Sequence, residues 1–190
     1  LYSVLNLEHK YWSRLSQREI APDVTPRFQQ IDPFDDDVAS KIELDFPFWM
    51  KPVKSFSSHL GFLVEDRATL DHALAETRQH LPWLATPFNR FLEMVDPPAE
   101  VADARRCILE ELISAPKLCT LEGYVFEGRA TVYGTVDSVK LESTSFDRYQ
   151  YPSKLPAEVV DRMREAAEKL LVHVGFDGGA FNVEFFYDEA

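Results

Sequence analysis

The sequence predicts an α+β fold made of antiparallel strand pairs and amphipathic helices. One observation is the apolar run Phe46-Pro47-Phe48-Trp49-Met50-Lys51-Pro52-Val53, which a small polar loop joins to Leu60-Gly61-Phe62-Leu63-Val64. A second is the pair Leu118–Val125 and Ala130–Val139, which flanks the turn dipeptide Glu127-Gly128. The third is a helical pattern opened by Pro156. It places Val159, Val160, Met163, Ala167, Leu170, Leu171 and Val174 on one side and ends at Gly175.

The remaining elements follow in order. Leu7, Tyr11 and Leu15 share a face of an opening helix that breaks at Ala21-Pro22, and Val24-Thr25-Pro26-Arg27-Phe28 then reads as extended. The acidic link Asp32-Pro33-Phe34-Asp35-Asp36-Asp37 reads as a solvated loop. Asp66 is placed to cap a helix whose apolar side holds Leu70, Ala73, Leu74 and Thr77, with Pro82 expected to stop it. Cys107-Ile108-Leu109 is a strand that runs into Glu110-Glu111-Leu112-Ile113, and Gly179–Tyr187 is the last strand.

With 190 residues, 45% hydrophobic and 13% aromatic, the chain can bury a sizeable core. A formal net charge of −12 argues against a nucleic-acid partner, because phosphate backbones are repelled overall. ATP is a different case, since a few local lysines and a metal ion can hold it within an acidic surface. No apolar run is long enough to cross a bilayer, and Leu1–Lys10 lacks the pattern of a signal peptide. Cys107 and Cys119 read as buried, reduced thiols of a cytoplasmic protein.

Lys51 closes an apolar strand, where a lysine must reach water, pair with a carboxylate or meet an anion such as phosphate. The loop Lys54-Ser55-Phe56-Ser57-Ser58-His59 offers hydroxyls, amides and a second lysine. These suit either a phosphate cradle or an ordinary turn, with His59 solvated. Glu110 and Glu111 are adjacent on a strand and so point to opposite faces. Asn182 and Glu184 alternate onto one face of the last strand, away from its aromatics, as Mg²⁺ ligands or as a plain surface pair.

Taken in order, these segments resemble the ATP-grasp superfamily, specifically its carboxylate–amine ligase and biotin-carboxylase-like branch. His9-Lys10-Tyr11 followed by Val24–Phe28 resembles the family's opening lysine helix and Pro-x-Phe segment. Phe46–Gly61 resembles the strand, lysine and phosphate loop, and Ile108–Ile113 resembles the hinge that holds adenine. Tyr151-Pro152-Ser153, the helix after it and Gly178–Glu184 resemble the closing segment with a metal-binding glutamate.

The resemblance implies two α+β subdomains with a nucleotide cleft between antiparallel sheets. Residues 1–40 would pack on the C-terminal lobe, 41–114 would form the small subdomain with the phosphate loop, and 115–190 would form the C-terminal subdomain. It implies ATP and Mg²⁺ as cofactors. Lys10 and Lys51 would contact phosphates, with Lys51 also near adenine, and Ser55, Ser57 and Ser58 would belong to the loop over them. Glu110 would accept from the adenine amino group beside the backbone of Glu111, Leu112 and Ile113. Glu184 would bind Mg²⁺, and Glu122 would face the same cleft.

Ser55 and Phe56 stand where the family's loop commonly has glycine, and Lys117 and Leu118 stand where it often has a ribose-binding carboxylate. The family's N-terminal domain and second metal glutamate have no counterpart in these residues. The sequence is therefore expected to be part of a longer enzyme, with ATP binding weakened or lost in this part and no turnover. The parent would phosphorylate a carboxylate with ATP and pass the acyl phosphate to an amine, both small molecules. The alternatives are a non-catalytic nucleotide-binding or interaction domain of the same fold and a plain α+β binding domain.

Overall fold

The computed structural model describes residues 1–115, 117–140 and 146–188. The chain divides into two compact units, Leu1–Leu112 and Ile113–Ala190. Each is built on a four-stranded sheet.

The first unit opens with α1 (Tyr2–Glu8) and α2 (Lys10–Ile20), where the periodicity predicts one helix. His9 separates them by leaving helical geometry at φ −85° and ψ 102°, and its Nδ1 accepts the Trp12 N–H at 3.1 Å as an N-cap. Strands β1 (Phe28–Ile31), β2 (Phe48–Pro52), β3 (Phe62–Val64) and β4 (Cys107–Glu111) pair antiparallel in the order β1-β4-β2-β3. Phe48, Met50 and Leu109 share one core with Leu70, Leu74, Leu81 and Leu92 of α3 (Arg67–Leu92).

Asp66 caps α3 as expected, its Oδ1 accepting the Thr69 N–H at 2.8 Å. Pro82 does not stop the helix, which continues through Pro82 and Pro87 to Leu92. An interior proline costs about 3 kcal/mol. Here Leu84, Phe88 and Leu92 extend the buried stripe beyond the first proline, each worth roughly 1.5–3 kcal/mol. Together they are of the size needed to offset both prolines. Residues 1–40 also depart from expectation by belonging to the first unit. β1 pairs with β4, and Leu5, Trp12, Ile31 and Val38 are part of that unit's core.

The second unit comprises β5 (Lys117–Phe126), β6 (Arg129–Lys140), β7 (Phe146–Gln150), α4 (Ala157–His173) and β8 (Gly179–Tyr187). Its sheet runs β7-β6-β5-β8, all antiparallel. At the β5–β6 turn Glu127 and Gly128 have φ of 50° and 72°, the left-handed pair that a tight hairpin needs. After α4 the Gly175 N–H donates to Val172 O at 3.0 Å and the Phe176 N–H to Leu171 O at 2.9 Å, closing the helix end. Val159, Met163 and Ala167 of α4 pack against Cys119 and Leu121, with Val183 and Phe185 beside them. Strand alternation then puts Thr120, Glu122, Asn182 and Glu184 on the opposite face.

Candidate functional site

In the first unit the basic residues Lys10, Arg14 and Arg18 recur every fourth position of α2, so they share a face. Lys10 ties that face to the loop after β2. Its N–H donates to Val53 O and its Nζ to Ser55 O, both at 2.7 Å. Burial, then the neighbouring Lys51 and Lys54, lowers the Lys10 pKa to about 8. Lys54 is itself ion-paired with Glu8 and lies over the Phe88 ring.

Register explains the next contact. Glu110 faces Trp49 across the β2–β4 pair while Lys51 faces Ile108, so Lys51 and Glu110 are diagonal neighbours. Lys51 Nζ pairs with Glu110 Oε2, and Arg14 Nε donates to Glu110 Oε1 at 2.5 Å. Glu110 is 5% exposed. Burial alone would raise its pKa, but the two cations outweigh burial and hold the carboxyl below its usual value. Of the fates open to a lysine closing this strand, Lys51 takes the carboxylate while part of its side chain still reaches solvent.

The loop above these groups turns through left-handed residues, with φ of 48° at Ser57, 56° at Ser58 and 55° at Leu60. Ser57, Ser58 and His59 are exposed and Ser55 is half-buried. Gly61 closes the loop against β2, where an added Cβ would sit 3.1 Å from the Trp49 ring. His59 stacks on Phe56 at 6.3 Å between centroids and meets Trp83 edge-on at 6.1 Å.

At the end of β4, the Glu111 N–H donates to Arg27 O at 3.0 Å and its carboxylate accepts the Arg27 N–H at 2.8 Å. Leu112 and Ile113, both exposed, lie beyond the strand. In the second unit Glu122 is half-buried on β5 opposite Asn182, and Glu184 is two residues further along β8, exposed. The two carboxylates and the amide thus share one sheet face as diagonal and direct neighbours. Among the described residues no group of three or more His, Cys, Asp or Glu side chains is gathered as a metal site. A cavity of about 310 Å³ in the second unit, lined by residues including Tyr133, Ser153 and Arg164, contains none of the expected site residues.

Compared with solved structures, the chain matches the biotin carboxylase–βγ-ATP complex of Campylobacter jejuni over 99% of its length, with TM-score 0.71 and 16% identity. The chain has the ATP-grasp fold. It matches the L-amino acid ligase of Bacillus licheniformis at TM-score 0.69 and 16% identity, covering 99% of this chain and 39% of that one. It also matches the ADP complex of the N5-carboxyaminoimidazole synthetase of Staphylococcus aureus at TM-score 0.70 and 15% identity, over 98% of this chain and 43% of that one. The biotin carboxylase is covered over 39% of its length, so the chain spans less than half of each of these ATP-grasp structures. No protein-family model matches the sequence, and no curated protein matches it.

Within this ATP-grasp fold, Lys10 is bonded to Ser55 and Lys51 is paired with Glu110 in the first unit, and Glu122 and Glu184 occupy one face of the second. Sequence reading missed Arg14. Its signal was the four-residue spacing from Lys10, which puts both on one side of α2.

Proposed function

We propose that this chain is the ATP- and Mg²⁺-binding portion of a ligase that activates a small-molecule carboxylate as an acyl phosphate and joins it to an amine. The observation that supports this reading is the clustering of Lys51 and Lys54 around Lys10, which bonds to Ser55 of the serine loop, in a chain whose net charge is −12. Burial, and after it the nearby Lys51 and Lys54, lowers the proton affinity of Lys10, and a polyanion bound there offsets that positive charge.

In this reading Lys10 and Lys51 bind phosphate oxygens, and the loop with Ser55, Ser57 and Ser58 covers them with hydroxyls and amides. Leu112 and Ile113, which follow the ladder, offer backbone groups to the adenine edge, while the Glu111 N–H is already used on Arg27. Glu184, with Asn182 and Glu122 beside it, forms an oxygen-only donor set of the kind Mg²⁺ takes alongside phosphates. Mg²⁺ bound there would supply neutralisation of charge on the transferring phosphoryl group. The chain's own residues contribute positioning and electrostatics, which is most of what phosphoryl transfer requires. Two free, buried thiols suit a cytoplasmic enzyme. No helix among the described residues is long and apolar enough to cross a membrane.

The test follows from Lys10. A group whose pKa is about 8 is half-protonated at pH 8, and phosphates arriving beside it restore the proton. Calorimetric titration with ATP and Mg²⁺ at pH 8, in buffers of different ionisation heat, should show weak binding coupled to uptake of roughly half a proton. Binding without proton uptake would exclude Lys10 from the phosphate site.

A further inference from the structure

We propose that Arg14 and Glu110 are positioning residues that act on nucleotide through Lys51. The inference rests on the function proposed above and deepens it.

Both Glu110 oxygens are already occupied, one by Arg14 and one by Lys51, in a carboxylate that is 5% exposed. A group held in this way is poorly placed to accept from a base. The triad continues backwards along α2. Arg14 Nη1 donates to Gln17 Oε1, and Gln17 Nε2 donates to Ser13 Oγ at 3.0 Å, on a serine that is itself buried. The guanidinium is therefore oriented from its own helix, Glu110 is fixed between β1 and β2 by its place in β4, and Lys51 is held from the far side.

Two consequences follow for Lys51. Its flexible stem is restrained before ligand arrives, which removes an ordering penalty from binding. Its ammonium carries three N–H donors, and one bond to Glu110 leaves the others for phosphate. Glu110 also separates two cations that would otherwise repel each other. The opening helix thereby sets the geometry of a lysine distant in sequence.

The test is a thermodynamic cycle on this chain with ATP and Mg²⁺, using Glu110→Gln, Lys51→Met and the double variant, each checked for folding by thermal melt. Glu110→Gln should weaken ATP by roughly tenfold, and the double variant should match Lys51→Met within about twofold. Inorganic tripolyphosphate, which has no base, should weaken by the same factor. Arg14→Met should follow Glu110→Gln, and Arg14→Lys should recover most of the loss. Additive losses in the double variant, or a loss for ATP with none for tripolyphosphate, would mean that Glu110 touches the nucleotide itself and would overturn the proposal. An arm without nucleotide separates this from failure of the ligase reading. Acetylation of Lys51, followed by mass spectrometry, should run several-fold faster in Glu110→Gln than in the parent chain. An unchanged rate overturns the pairing whether or not ATP binds.

Discussion

The two units present their candidate groups in opposite ways. In the first, Lys51 and Glu110 lie on central strands, are largely buried and are held by named partners. In the second, Asn182 and Glu184 stand exposed on β8, with Glu122 half-buried opposite. Buried charge must be paired within the fold, so the first unit fixes its geometry in advance. Exposed carboxylates keep their water until a cation and its phosphates replace it. On the function proposed above, the first sheet would position its groups in advance and the second would accept a cation.

Acid should separate the units most strongly. His9 is fully buried, its Nε2 has no hydrogen-bond partner among the described residues, and burial lowers its pKa to about 4. The folded-state value lies below the unfolded one of 6.5, so the unfolded chain binds the proton first. The stability is complete above pH 6.5 and is lost as pH falls towards 4, by about 3 kcal/mol. Glu110, also held below its usual value, adds a loss of the same sign at lower pH. The three tryptophans, at 12, 49 and 83, all lie in the first unit, so denaturant unfolding followed by their fluorescence reads this unit alone. His9→Asn keeps a cap and should flatten the dependence between pH 6.5 and 4.

Next in size is the metal side. Glu184→Ala should remove most of the Mg²⁺-dependent gain in ATP affinity, roughly tenfold, and leave Mg²⁺-free affinity unchanged. Because the residue is exposed, thermal stability should move by less than about 0.5 kcal/mol. Loss of Mg²⁺-free affinity as well would erase the contrast between the units. Smallest is the hairpin of the second unit. Gly128→Ala, at φ 72°, should cost about 1 kcal/mol in urea unfolding followed by circular dichroism, without affecting nucleotide affinity.

Local patterns made much of the fold readable. The β5–β6 hairpin, the Asp66 cap, α4 and β8 all follow from turn chemistry and periodicity. What periodicity could not supply was tertiary weight. The helix α3 survives two prolines because its apolar stripe continues, and the opening helix splits because His9 serves as a cap. β7 was not foreseen. At the candidate site, the sequence marked Lys51 and Glu110 as separate prospects with alternatives open for each. It could not show that they answer one another, since that depends on a diagonal across two strands 59 residues apart. Arg14 was hidden for the same reason, being a plain helix arginine until β4 is placed beneath it.

The most direct test of the account is titration of this chain with a non-hydrolysable ATP analogue, with and without Mg²⁺, beside Lys51→Ala. The account predicts weak binding that Mg²⁺ strengthens and that Lys51→Ala reduces by about a hundredfold or abolishes. Binding by the folded Lys51→Ala variant as tight as by the parent chain would contradict it.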